Sequence, residues 1–155
     1  ADAGWEVRTA GLLRLDQRHQ IATFADFCNE CGNCDVFCPE DGGPYVLKPR
    51  FFGSREEWER HAALDGFFVR LDSSAGAAGE TEVYGRVDGK QFHLRVEGDK
   101  ASFSGDGFAL ELDRKAPSVR PRGRADGVVD LTYYHILELV LEAIVTSGDV
   151  NYVSV

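Results

Sequence analysis

The sequence contains no methionine and no apolar stretch long enough to cross a membrane. A membrane-spanning helix needs about 18 consecutive apolar residues, and the first residues also lack the basic start and apolar core of a signal peptide. We therefore expect a cytoplasmic protein with no membrane partner. Because a natural reading frame begins with methionine, the absence of this residue from 155 positions predicts a fragment of a larger polypeptide.

The chain also lacks an excess of basic residues. It carries 17 Lys and Arg against 26 Asp and Glu, for a net charge of −9. Nucleic-acid-binding proteins usually have a basic surface, so this class is disfavoured. Acidic surfaces are common on soluble proteins and are also typical of small electron carriers, where they steer docking to basic partners. One basic cluster interrupts the acidic pattern, and it is either a solvated loop or a docking site: Arg114, Lys115, Arg120, Arg122 and Arg124.

Cysteine is scarce, but its four copies lie together. They follow the pattern C-x2-C-x2-C-x3-C-P, and the positions are Cys28, Cys31, Cys34 and Cys38. This pattern is the ferredoxin run, whose thiolates ligate iron–sulfur clusters. Gly32 removes a side chain where backbone and cluster must come close. We expect the four cysteines to bind one [4Fe–4S] cluster.

Three other uses of the four thiols fit the spacing less well. Four closely spaced cysteines without a secretory signal make a poor disulfide framework. Structural zinc sites usually consist of two C-x2-C pairs with a longer gap between them, although zinc could replace a lost cluster in a fragment prepared in air. A catalytic thiol does not fit a run of four. In two-cluster ferredoxins the fourth cysteine binds the other cluster, so the spacing leaves open whether Cys38 completes this cluster or serves another.

The hydrophobic pattern predicts an α+β fold. Residues 1–53 are expected to form a small ferredoxin-like cluster-binding unit with a lead-in strand or linker, and residues 54–155 a sheet and helix packed against it. A short helix is predicted over 54–64 with Ser54 as its N-cap. Period-two segments divided by Gly and Asp predict an antiparallel β-meander; these are "TEVYGRV", "KQFHLRVE", "ASFSG" and "FALELD". Residues 114–127 are expected to be a loop. A long C-terminal helix, capped by Asp130 and ended by Gly148, is predicted to cover the sheet.

The stretch "FCNECGNCDVFCPEDGGPYVLKPRFF" (27–52) resembles the carboxy-terminal ferredoxin-type segment of the selenate reductase flavoprotein subunit family. That family is similar to the small subunit of glutamate synthase. The resemblance implies an electron-relay module whose cluster ligands are Cys28, Cys31, Cys34 and Cys38. It also implies that FAD and NAD(P)H bind in parent domains outside this chain, and that those domains or a separate redox protein are its partners. No catalytic residue is expected on the chain itself.

A second hypothesis treats the cysteine run as a structural zinc clip on a protein-interaction domain with no redox role. The remaining candidates are weaker. Glu40 and Asp41 are expected in a solvated turn whose charge tunes the cluster. Phe27, Phe37 and Tyr45 are expected to shield the cluster as part of the core. The four histidines are expected to be packed or surface residues; they are His19, His61, His93 and His135.

Overall fold

A computed structural model describes residues 5–16, 22–38, 42–71, 80–119 and 121–146. The strands within these ranges form one sheet, in which spatial order follows chain order. They are β1 Thr23–Phe24, β2 Arg50–Phe52, β3 Gly66–Leu71, β4 Thr81–Val87, β5 Lys90–Glu97, β6 Lys100–Gly105, β7 Phe108–Asp113 and β8 Arg122–Ala125. The helices are α1 Pro44–Leu47, α2 Arg55–Arg60 and α3 Thr132–Thr146, with 3₁₀ turns at Ala25–Phe27 and Asp35–Phe37.

The predicted meander is confirmed. From β3 to β8 each strand pairs antiparallel with the next one, and the four period-two segments form β4 to β7. The "DG" turn between β4 and β5 places both central residues at positive φ, with Asp88 at 53° and Gly89 at 69°. This geometry is the type I′ turn that favours a two-residue hairpin. The carboxylate of Asp65 accepts hydrogen bonds from both backbone N–H groups, at 2.7 and 3.0 Å.

Alternation along the strands separates the core from the opposite face of the sheet. Phe92, Leu94 and Val96 of β5 are buried beneath α3, whereas the residues between them lie on the other face. Leu137 of α3 is fully buried above β4. A Cβ atom at Gly85 would stand 2.5 Å from Leu137 Cδ2, so the absence of a side chain lets the helix lie directly on the sheet.

Both longer helices begin as the sequence predicts. Ser54 Oγ accepts a hydrogen bond from the N–H of Glu57 at 3.1 Å, which confirms Ser54 as the N-cap of α2. Asp130 Oδ1 accepts from the N–H of Thr132 at 2.9 Å and caps α3. Hydrogen bonds from the Thr132 side chain and from this N–H lower the pKa of Asp130 below its ordinary value. Gly148, predicted to end α3, lies outside the described residues.

The second face of the sheet is covered at β2 to β4 by α2. Trp58 of α2 is buried, and its Nε1 donates to the carbonyl of Gly66 at 3.1 Å. Arg86 of β4 lies over the Trp58 ring, with Cζ 4.3 Å from the ring centroid. Its guanidinium donates to the carbonyl oxygens of Trp58, His61 and Leu64, at 3.2, 3.1 and 2.7 Å. Arg86 therefore supplies hydrogen-bond donors to carbonyl groups at and just beyond the C-terminal end of α2.

The predicted ferredoxin-like unit is wrong for the described part of the chain. Strands β1 and β2 pair in parallel and continue into β3, so this region extends the same sheet as the meander. Phe51 packs against the core beneath α3, whereas Phe52 is buried on the face that carries α2. A strand with aromatic side chains buried on both faces needs packing partners on each side. A self-contained cluster unit would not have provided them.

One smaller expectation also changes. Residues 114–127 are predicted to be a loop, but Arg122–Ala125 pairs with β7 as the last strand. The described lead-in residues 5–16 contain no strand, in agreement with the linker alternative. No helix among the described residues is long and apolar enough to cross a membrane.

Candidate functional site: the cysteine loop

The cysteine run lies in the connection between β1 and α1, and we call residues 28–38 the cysteine loop. Hydrogen bonds from Thr23 tie the start of this connection to its far end. The Thr23 N–H donates to the carbonyl of Pro49 at 2.8 Å, and its Oγ1 donates to the carbonyl of Pro44 at 2.9 Å. The sheet therefore fixes the two stems of the connection close together and leaves the cysteines between them.

Inside the cysteine loop the backbone forms only local turns. The N–H of Asp35 donates to the carbonyl of Gly32 at 3.0 Å, and the N–H of Cys38 donates to that of Asp35 at 3.2 Å. Gly32 has a φ of +77°, a backbone conformation that glycine adopts with little energetic cost because it has no side chain. This left-handed residue turns the chain back directly after Cys31.

The four thiols are free and accessible to different degrees. Cys31 and Cys34 are exposed, whereas Cys28 and Cys38 are half-buried. Thiolates are the donors that iron–sulfur clusters require, so the residues fit such a cluster in kind. However, the described residues include no group of three or more His, Cys, Asp and Glu side chains placed to hold a metal ion. Binding of a cluster would therefore have to draw the thiols together, as is common where metal binding is coupled to folding.

The expectation that Phe27, Phe37 and Tyr45 belong to the core is wrong for two of the three. Phe37 is 89% exposed and Phe27 is 70% exposed. Tyr45 is half-buried, and its hydroxyl lies 4.0 Å from the point where a Cβ of Gly32 would stand. Tyr45 therefore packs near the turn of the cysteine loop.

The acidic residues of this region make local contacts. Asp35 Oδ1 accepts a hydrogen bond from the N–H of Gly42 at 2.9 Å. Glu30 Oε1 lies 3.6 Å from Arg50 Nη2, a distance at which the two charges attract each other. Glu40 and Asp41 lie outside the described residues.

The predicted basic cluster is divided by pairing within the chain. Arg114 makes two hydrogen bonds to Glu138 on α3, both of 2.9 Å. Lys115 Nζ lies 2.6 Å from Asp99. Arg122 and Arg124 are exposed on β8, and Arg120 lies outside the described residues. Two of its five members therefore form ion pairs within the chain, and whether the cluster is a solvated loop or a docking site stays a prediction.

The histidines fit the expectation of packed or surface residues where they are described. His61 stacks on Phe52 with ring centroids 5.7 Å apart, and His135 is exposed on α3. His93 stacks on Tyr84 of the neighbouring strand at 4.2 Å. His19 lies outside the described residues.

Sequence reasoning missed a polar cluster around His93 on the second face of the sheet. The buried carboxylate of Glu82 accepts a hydrogen bond from the Tyr84 hydroxyl at 3.1 Å and lies 3.0 Å from Arg70. His93 Nε2 is 3.5 Å from Glu82. Burial lowers the pKa of His93, an effect that Glu82 opposes, and burial raises the pKa of Tyr84. The signal was the period-two placement of polar residues in β4, which brings them to one face.

Comparison with known proteins gives one short similarity. Two curated proteins of Escherichia coli, from strains K12 and O157:H7, are each 36% identical to the chain over 55 residues. Both are named Putative oxidoreductase YgfK. Over those residues the chain is similar to a protein whose name assigns it to the oxidoreductases only as a putative member.

The reach of this similarity is limited. The matched residues make up 36% of the chain but only 5% of each relative. The relatives' names support a link to oxidoreductases at most, and they do not extend to the selenate reductase subunit family expected from residues 27–52. No family model matches the chain, and no solved structure matches it.

Proposed function

We propose that this chain is an iron–sulfur electron-transfer module of a larger, flavin- and NAD(P)H-dependent oxidoreductase. One [4Fe–4S] cluster is held by Cys28, Cys31, Cys34 and Cys38. The observation that carries the proposal is the spacing of four free thiols in the ferredoxin pattern. The similarity to an oxidoreductase over 55 residues supports the same class of chemistry. Sites for FAD and NAD(P)H belong to other domains of the parent protein.

The chain's own residues bind and position the cluster. The thiolates supply ligation, and the paired stems at Thr23 and Pro44 restrict how far the cysteine loop can open. Gly32 leaves space beside Cys31, because no atom outside its neighbours comes closer than 4.0 Å to its would-be Cβ. When bound, the cluster supplies one-electron transfer. No substrate is converted on this chain, and reduced thiols require a reducing compartment such as the cytoplasm.

The zinc-clip hypothesis makes a different demand on the fold. A structural zinc site contributes folding free energy directly. The buried hydrophobic residues, however, lie between Phe52 and Ile144, and neither 3₁₀ turn beside the cysteines buries a residue. This separation favours a cluster that is carried by an already stable sheet over a metal that holds the sheet together.

Reduction of the intact protein tests the proposal. The wild type is purified without oxygen and reduced with dithionite, and electron paramagnetic resonance and visible spectra are recorded. We expect visible absorption that bleaches on reduction together with a new paramagnetic signal. Single Cys→Ser changes at Cys28, Cys31 and Cys34 should abolish both, whereas the neighbouring Asn33→Ser should retain them.

The same series assigns Cys38. Loss of the signals in Cys38→Ser would place this residue on the one cluster, and their survival would assign it to another site. A wild-type chain with no bleaching and no paramagnetic signal would contradict the relay and favour the zinc clip.

A further inference from the structure

Large apolar side chains around the cysteine loop are exposed to solvent. Their exposed fractions are 70% for Phe27, 78% for Val36, 89% for Phe37, 54% for Val46 and 45% for Leu47. We call these five side chains the loop patch. Proteins rarely expose neighbouring apolar side chains without use, and such surfaces commonly mark sites of association.

The two halves of the loop patch are joined by direct contacts. Asp35 Oδ1 accepts a hydrogen bond from the N–H of Gly42 at 2.9 Å, which ties the turn carrying Val36–Phe37 to the start of α1. Leu47 Cγ lies 3.6 Å from the point where a Cβ of Gly42 would stand. The loop patch therefore extends from the cysteine loop onto α1.

The charge along the chain around the loop patch is mostly acidic. Residues 21–50 contain five acidic residues against two basic ones, Lys48 and Arg50. Asp26, Glu30 and Asp35 are described and exposed, and Arg50 lies 3.6 Å from Glu30. An apolar centre within a mostly acidic surround is complementary to a partner with an apolar centre ringed by basic residues.

We propose that the loop patch docks a redox protein that presents an apolar cofactor edge ringed by Lys and Arg. This inference rests on the proposed electron-transfer function, because the apolar side chains flank the proposed cluster ligands. In the complex, one electron passes from the chain to the partner's cofactor, so the partner is reduced as the chain is oxidised. Acidic residues steer the encounter, and the apolar side chains bring the two redox centres close together.

Cytochrome c is a suitable probe, because it is a basic protein with an exposed haem edge. The dissociation constant for ferricytochrome c is measured by titration calorimetry with the oxygen-free, full-length chain. The test variant is Val46→Ser with Leu47→Ser, since both lie on α1 outside the cysteine run. The matched control is Val119→Ser with Val128→Ser, which removes two apolar side chains that are 59% and 102% exposed elsewhere.

We expect the test variant to raise the dissociation constant at least about tenfold and the control to change it less than about twofold. Raising the salt concentration from about 10 mM to about 300 mM should weaken binding. Equal constants for the two variants, no effect of salt, or no binding by the wild type would overturn the docking surface.

The iron content of each preparation separates this inference from the proposed function. If the chain carries iron but the substitutions in the loop patch do not change cytochrome c binding, only the docking surface is refuted. If the chain carries no iron but binding still depends on the loop patch, the electron-transfer function is refuted and the docking surface is supported.

Discussion

At the scale of single residues, Arg86 connects the helix on the second face to the sheet. It is 2% exposed and donates to three carbonyl oxygens near the end of α2 while it covers the Trp58 ring. Carbonyl groups at a helix end carry partial negative charge, which a buried cation stabilises. Arg86 thus supplies donors to the helix terminus, while its own Nε is buried without a hydrogen-bond partner among the described residues.

Removal of this guanidinium should be costly. We expect Arg86→Ala to lower the free energy of unfolding by about 3 kcal/mol, because three carbonyl groups lose the guanidinium donor, and the Trp58 ring loses its cover. The His61 carbonyl keeps a turn partner, the N–H of Leu64. Urea denaturation followed by circular dichroism measures the change. The exposed Arg122→Ala is the control, with an expected change within about 0.5 kcal/mol. Equal losses of unfolding free energy in the two variants would mean that the contacts of Arg86 do not stabilise the fold.

His93 makes stability depend on pH. Its pKa in the folded protein lies below the ordinary 6.5, because burial and the cations Arg55 and Arg70 outweigh the attraction of Glu82. The unfolded chain therefore takes up this proton first as the pH falls. Stability from this group is present above about pH 6.5 and is lost below it. We expect unfolding free energies to fall more steeply from about pH 7 to pH 5 in the wild type than in His93→Gln, and parallel curves would refute this assignment.

For single residues, the sequence allowed correct predictions of local features such as helix caps, and it did not allow predictions of which residues surround a given side chain. The cysteine spacing and the caps Ser54 and Asp130 could be found because each depends on a few neighbouring positions. The Glu82–His93 contact could not, because it joins residues on different strands and requires the register of β4 against β5. The exposure of Phe37 was not predicted for the same reason, because the neighbouring sequence does not show which elements pack around a side chain.

At the scale of elements, α3 and the meander form the core of the molecule. The strands β4 to β7 were predictable because alternation and Gly-containing turns recur at short intervals. The strands β1, β2 and β8 were not, because each has two to four residues and depends on pairing with a neighbour. Such short strands form by pairing with a sheet that already exists, and they contain too few residues to show a hydrophobic alternation.

The packing of α3 on β4 depends on Gly85. We expect Gly85→Ala to destabilise the fold by about 1–2 kcal/mol, because its Cβ would stand 2.5 Å from Leu137 Cδ2. Chemical denaturation of Gly85→Ala, Leu137→Ala and the double variant measures the coupling between the two sites. The double variant should lose less than the two single losses combined, since the shorter side chain relieves the clash. Additive losses would refute the close approach, and Gly127→Ala, with no atom within 4 Å, is the control.

At the scale of the whole molecule, the cysteine loop lies outside the hydrophobic core. The core residues come from β3 to β7 and α3, and the sheet reaches the cysteine loop only through β1 and β2. This arrangement suits a stable body that carries an accessible redox centre at one edge.

Metal removal should therefore leave the sheet folded. After treatment with a chelator, we expect the main thermal transition to stay within about 3 °C of its original midpoint, because the core buries no cysteine. Limited proteolysis within residues 28–38 should become faster, since the loop loses its ligand. A large fall in the midpoint would favour the structural zinc clip.

The measurement that tests the central claim most directly is the metal and sulfide content of the protein purified without oxygen. The electron-transfer account predicts about four iron and four acid-labile sulfide per chain, with little zinc. About one zinc per chain with no sulfide would contradict it and would identify the cysteine loop as a structural metal site.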